Sequence, residues 1–153
     1  MPPITRQPLA VLFACDQNSL RSPIAAALLG QIVGRSIYVG SAGVRKGELD
    51  PFAVAVMAEI DLDISRHKPV TFEELDEWEG LNFDLIVTLA PEAHHRALEL
   101  TRTSGVEVEY WPTPDATAIE GNREQRLDAY RQVRDQLIAR IRDRFAGQRT
   151  GNE

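Results

Sequence analysis

The stretch LAVLFAC (residues 9–15) is apolar throughout and set between polar residues, the pattern of a short strand buried on both faces. SIYVGSAG (36–43) and DLIVTL (84–89) read as two further strands, the first of them ending in a turn of small residues. VEVEYW (106–111) alternates apolar and polar, which suits a strand nearer a sheet edge. Helical signals lie between the strands. Ser22-Pro23 opens one, with Pro23 in its first turn, and IAAALLGQIV (24–33) is apolar on most sides. Asp50 as N-cap and Pro51 at the first helical position open a second over FAVAVMAEI (52–60). Thr71 and Glu74 have capping-box spacing and predict a short helix over roughly 72–79. Pro91 opens the helix EAHHRALELTR (92–102). PTPDATAIEGN (112–122), with two prolines and a glycine, reads as a loop. The last helix starts near Arg123: Leu127, Tyr130, Val133, Leu137, Ile138, Ile141 and Phe145 recur at spacings of three and four and form one stripe. The tail GQRTGNE reads as disordered.

Alternating strands and helices predict an α/β fold. The expected architecture is a three-layer sandwich, a four-stranded parallel sheet with helices on both faces. Residues 1–153 read as a single domain with an ordered core over about 8–146, without repeats or an interdomain linker. In such sheets ligands bind at the carboxyl ends of the strands, near a topological switch point. Cys15 ends the first strand, so the fold directs attention to the loop that follows it.

Composition narrows the setting. Hydrophobic residues make up 43% of the chain and charged residues 26%, a globular balance. Cys15 is the single cysteine, which excludes an internal disulfide and any cysteine cluster for zinc or iron–sulfur. MPPITRQP is polar and residues 9–15 are too short to span a membrane, so the expected setting is cytoplasmic, without a membrane partner. The formal net charge is −6, and the arginines between 123 and 149 are interleaved with acids, which argues against a nucleic-acid face. His94 and His95 are adjacent on a predicted helix, point to different faces and read as surface residues. No metal site or cofactor is expected.

The segment Cys15-Asp16-Gln17-Asn18-Ser19-Leu20-Arg21-Ser22 passes from strand to helix in one tight turn. Backbone amides in such a loop converge on one point, and the helix adds the positive end of its dipole. The result is a phosphate-binding loop for a tetrahedral oxyanion, which Arg21 can close with two parallel hydrogen bonds. Positive surroundings at a helix N-terminus also favour a thiolate, so Cys15 is a candidate nucleophile with Ser22 placed to donate to it. A lone cysteine after a buried strand is also the pattern of a small core hydrophobe; the Cys-x5-Arg-Ser spacing between strand and helix favours the nucleophile.

Cys15-x5-Arg21-Ser22-Pro23, with Asn18 inside the loop, resembles the low-molecular-weight protein tyrosine phosphatases and their fold relatives, the thioredoxin-coupled arsenate reductases. SAG (41–43), DLIVTL (84–89) and WPTPDATAIEG (111–121) fall where that family carries its second-strand turn, third strand and general-acid loop. The resemblance implies phosphomonoester hydrolysis through a phosphocysteine, with Cys15 as nucleophile, Arg21 as oxyanion clamp and Asp115 as general acid. It implies that Asp16, Gln17, Asn18, Ser19, Leu20, Arg21 and Ser22 form the socket, with Asn18 braced by Ser41. Read without the resemblance, Asp115 is a helix cap or solvated loop acid. The implied substrate is phosphotyrosine on a protein, with a small phosphomonoester as the other candidate partner; the oligomeric state is left open.

Three departures bear on that reading. Leu20 stands where many family phosphatases carry a second cysteine. Ala116-Thr117-Ala118 follow Asp115 where the family places aromatic residues that hold a phosphotyrosine ring, and Phe52 and Trp111 are candidate substitutes that nothing in the sequence aims at the site. Asp16 and Gln17 replace small or apolar residues, and Asp16 is expected to face solvent or to select a cationic group on the substrate. Two other functions therefore stay open. Arsenate reduction is one, limited to an external low-molecular-weight thiol because no further cysteine exists to relay a disulfide. Non-catalytic binding of phosphate or a phosphoprotein is the other.

Overall fold

A computed structural model describes residues 8–145. The expected strands and helices all form, with shifted ends, in the order β1 (Ala10–Cys15), α1 (Arg21–Val33), β2 (Tyr38–Gly43), α2 (Pro51–Ala58), α3 (Phe72–Trp78), β3 (Leu85–Thr88), α4 (Pro91–Leu100), β4 (Glu107–Tyr110) and α5 (Arg123–Arg144). The expected disorder of GQRTGNE concerns residues outside the described ones. The four strands are parallel in the order β2-β1-β3-β4, so β4 lies at an edge as its alternation predicts. The chain leaves β1 toward β2 and returns past it to β3. The switch point therefore lies at the carboxyl end of β1, where Cys15 stands.

The period-two geometry of β1 divides the core between two faces. Val11, Phe13 and Cys15 pack with Leu85, Val87 and the buried sides of α1, α2 and α5. Leu12 and Ala14 pack with Ile86 and with Phe72, Leu75, Ala93 and Ala97 from α3 and α4. The architecture is a three-layer α/β sandwich.

Local signals account for the helix starts. Asp50 caps α2 by accepting the Phe52 amide at 2.9 Å, ahead of Pro51. Thr71 and Glu74 form the reciprocal capping box of α3. Asn122 and Gln125 form a second such box at α5, a signal present in the sequence that the stripe alone had not used.

The expected stripe of α5 packs into the core, and Arg134 is buried beside it, donating through Nη1 to the Val56 carbonyl and to Glu59 Oε1, each at 2.8 Å. Its charge is tolerated because it meets both a carboxylate and a free carbonyl at the end of α2. His94 is not a surface residue. Its ring is half-buried, stacked on Tyr110 with centroids 4.7 Å apart, and its Nδ1 lies 2.9 Å from Thr88 Oγ1. His95 is exposed, as expected.

Candidate active site

Residues 16–20 link β1 to α1 with every carbonyl of the turn turned outward to a donor. The carbonyls of Cys15, Asp16, Gln17 and Ser19 accept the amides of Val44 (3.2 Å), Arg45 (2.9 Å), Gly47 (3.0 Å) and Asp50 (3.0 Å) from the segment after β2. The Leu20 carbonyl accepts the Ile24 amide at 3.2 Å, and the Asn18 carbonyl faces His67 Nε2 at 3.2 Å. The amides of 16–20 are left facing the interior of the loop, and among the described residues they donate to no protein acceptor. The N-terminus of α1 has no side-chain cap and no acid in its first turn. Free amides and an uncompensated helix end together form an anion socket.

This close pairing needs Gly43. A Cβ there would lie 2.7 Å from the Arg45 carbonyl oxygen and 2.8 Å from the Asn18 amide nitrogen. Glycine lets β2 end against the loop backbone.

Asn18 holds the turn from inside. It is buried and takes φ 56°, the left-handed conformation that asparagine tolerates. Its Nδ2 donates to Ser22 Oγ (2.8 Å) and Ser41 Oγ (3.0 Å), while Oδ1 accepts the Val70 amide at 2.9 Å. Ser41 Oγ is thus one of the two hydroxyls that the Asn18 amide holds.

His67 completes this network and was not anticipated. Its Nε2 lies 3.0 Å from Asn18 Oδ1 and 3.2 Å from the Asn18 carbonyl oxygen, both acceptors, so Nε2 carries the hydrogen. Burial holds His67 below the ordinary histidine value, partly opposed by the bond to the Asn18 carbonyl. The unfolded chain then takes up the proton more readily. Stability from this group is complete above about pH 6.5 and is lost as pH falls below it. Denaturant midpoints should decline on acidification below that pH, and His67→Gln, which keeps a donor but does not titrate, should flatten the decline. His67→Ala should cost about 1–3 kcal/mol by leaving Asn18 short of a donor. Equal stability of the Gln and Ala variants would show that the hydrogen bond is not what His67 contributes.

Cys15 is 2% exposed, and its Sγ lies 2.9 Å from Ser22 Oγ. Ser22 accepts from Asn18, so its own proton goes to the sulfur or to the Ala42 carbonyl oxygen, 3.4 Å away. A thiolate is the nearer and stronger acceptor, so ionisation of Cys15 draws the Ser22 hydroxyl to it.

Arg21 is 7% exposed and donates through Nη1 to the Thr113 carbonyl at 3.0 Å. It thus ties the loop to the segment before Asp115. Asp115 is exposed and caps a single 3-10 turn, Ala116–Ala118. Its Oδ1 accepts the Thr117 amide (3.0 Å) and hydroxyl (2.6 Å), while Oδ2 makes no hydrogen bond among the described residues. Thr117 is a second residue the sequence reading missed.

One pocket is lined by Cys15, Asp16, Gln17, Ser19, Leu20, Arg21, Asp115 and Thr117. Asn18, Ser22 and Ser41 stand behind it as supports. Asp16 is turned partly inward: its Oδ2 lies 3.5 Å from Arg21 Nη2, and its Oδ1 is shielded from water. Trp111 provides no wall for a substrate ring: it is 3% exposed, edge-on to Phe13 at 6.0 Å and covered by Arg140. Phe52 packs edge-on against Tyr130 at 5.3 Å, with Arg123 and Arg126 over its ring. Tyr130 donates to Asp50 Oδ2 at 2.5 Å; burial first and then this carboxylate push its hydroxyl well above the usual phenol range. Among the described residues no cluster of metal-ligating side chains occurs, and no helix is long and apolar enough to cross a membrane.

An anion loop between the first strand and first helix of a parallel sheet ordered 2-1-3-4 marks a recognisable class of α/β protein. The chain belongs to the low molecular weight phosphotyrosine protein phosphatase family, whose model matches residues 10–147. Among curated relatives it is 33% identical over 136 residues to a protein of Bacillus licheniformis named arsenate reductase, covering 89% of this chain and 94% of that one. Among solved structures it is 27% identical to an arsenate reductase of Archaeoglobus fulgidus, with a TM-score of 0.67 and coverage of 89% and 98% of the two chains. It superposes on YwlE arginine phosphatase, carrying a phosphorylated active-site serine, with a TM-score of 0.74 at 23% identity and coverage of 92% and 96%. That last likeness is one of fold.

Proposed function

We propose that the chain hydrolyses phosphate monoesters through a phosphocysteine. The observation that carries this reading is the meeting of Cys15, Arg21 and Asp115 at one pocket, although Asp115 comes from a loop after β4. The Cys15 thiolate attacks phosphorus as the ester P–O bond breaks. The departing oxygen takes a proton from Asp115 Oδ2. A water then attacks the phosphocysteine, gives its proton back to Asp115, and phosphate leaves with Cys15 returned as thiolate. Charge on the equatorial oxygens is met by the loop amides and by Arg21, already oriented before substrate arrives.

Phosphotyrosine on a protein is the substrate class the family name suggests. The small residues after Asp115 and the buried Trp111 give its ring no aromatic partner, so the phosphoryl group supplies most of the recognition. Asp115→Asn tests the acid role. Hydrolysis of monoesters with poor leaving groups should fall by about 100-fold, and hydrolysis of an activated aryl phosphate far less. Equal losses on both would remove Asp115 as the acid.

The names of the curated relatives favour a second reading, arsenate reduction. Arsenate has the shape of phosphate and fits the same socket. Attack by the Cys15 thiolate on arsenic would break one As–O bond, release that oxygen as water after protonation, and give an arsenocysteine. A second thiol must then attack the sulfur, forming a disulfide as arsenic passes from As(V) to As(III). Cys15 is the only cysteine, so the second thiol must be an external low-molecular-weight one. Release of arsenite that requires such a thiol would support this reading, and its absence with several thiols would remove it.

A further inference from the structure

Asp16 is a carboxylate set among the anion-attracting groups of the socket, beside the nucleophile. The loop amides and the α1 terminus supply donors, and Arg21 supplies the cation. Asp16 follows the nucleophile directly, and its side chain, about one-third exposed, turns toward the same pocket. Oδ2 is 3.5 Å from Arg21 Nη2, and Oδ1 has neither water access nor a hydrogen-bond partner among the described residues. A carboxylate oxygen shielded in this way lacks a donor. The neighbouring Arg45 does not compensate it, being engaged by Glu92 through both terminal nitrogens, at 3.1 and 2.7 Å. The other ionisable groups facing the pocket are Cys15 and Asp115, both acidic.

An entering oxyanion would set one of its oxygens against this carboxylate. Two unprotonated oxygens repel, whereas one proton between them makes a charge-assisted hydrogen bond. We propose that Asp16 is a specificity determinant which makes the socket select tetrahedral oxyanions that carry a proton, its carboxylate accepting a hydrogen bond from the anion's own hydroxyl. Hydrogen phosphate, hydrogen arsenate and the monoanion of a phosphate monoester all qualify. Sulfate matches their shape but has no proton at neutral pH, so it is rejected. The proton stays within the pair, and no bond to phosphorus changes. This inference rests on the reading of the loop as an oxyanion site but not on turnover.

Titration calorimetry of wild type, Asp16→Asn and Asp16→Gly with inorganic phosphate and with sulfate at pH 7 tests it. Wild type should bind phosphate at least about tenfold more tightly than sulfate. Asp16→Asn, whose amide can donate to an unprotonated oxygen, should bring the two anions to within about threefold, mainly by tightening sulfate. Asp16→Gly, with no carboxylate at all, should also lose the preference. A ratio unchanged in both variants would overturn the inference. So would parallel loss of both anions, which would make Asp16 only a support for Arg21. If neither anion binds wild type, the oxyanion site itself is wrong. Discrimination without hydrolysis would instead count against the phosphatase reading and leave this inference standing.

Discussion

Cys15→Ser should abolish aryl phosphate hydrolysis, by at least about three orders of magnitude, while phosphate remains bound. The two effects separate because the sulfur is the reacting atom, whereas the anion is held by loop amides and Arg21. A serine hydroxyl at this position keeps the partner at Ser22 that the sulfur has at 2.9 Å, so the buried site accommodates the change. It does not keep the nucleophile, because an alcohol ionises far less readily than a thiol. Initial rates together with calorimetry of phosphate binding make the comparison. Turnover within about tenfold of wild type would mean that another group attacks, and loss of phosphate binding would mean that the thiol holds the loop's shape.

Arg21→Lys should lower kcat/KM by about 100- to 1,000-fold, more than loss of one hydrogen bond to a bound anion would explain. The guanidinium makes two kinds of contact at once. One terminal nitrogen is committed to the Thr113 carbonyl at 3.0 Å, and the other faces the socket, where Asp16 now lies 3.5 Å from it. A lysine ammonium reaches one of these and not both. If it serves the anion, the segment leading to Asp115 loses its tie to the loop. The substitution should therefore depress kcat, through the misplaced acid, as well as raise KM. A change in KM alone would show that Arg21 binds substrate without positioning the acid.

The elements that were legible in the sequence are those whose reason for forming is local. Residues 9–15 and 84–89 are apolar on both faces because both strands lie in the middle of the sheet, between β2 and β4. Asp50-Pro51 and the Thr71 and Glu74 pair mark helix starts within three residues of chain. The Cys15, Arg21 and Ser22 spacing was legible for the same reason: the loop and helix that unite them are continuous.

What escaped notice depends on closure of the chain over long distances. His67 sits in SRHKPV, a polar stretch with no period, and acquires a role only because it meets Asn18, 49 residues away. Thr117 matters through Asp115, and Asp115 reaches the pocket because Arg21 binds the Thr113 carbonyl across 92 residues. The inward turn of Asp16 and the burial of Trp111 are likewise consequences of packing, as is the burial of Arg134 beside the α5 stripe. His94 was placed on the surface from its neighbour in sequence, but Thr88 and Tyr110 come from two strands of the sheet.

The outward carbonyls of residues 15–20 carry a wider consequence. The loop's shape is held by its backbone, by the segment 44–50, by Asn18 and by Leu20, which is buried in the core, while the side chains of Asp16 and Gln17 make no hydrogen bond in that restraint. Support and choice of ligand are thus assigned to different atoms. Positions 16 and 17 can vary in charge while the amide ring stays in place, whereas position 20 is held to an apolar side chain by its burial. That freedom offers a route by which one scaffold could come to accept different oxyanion chemistries, with few substitutions and little cost to folding.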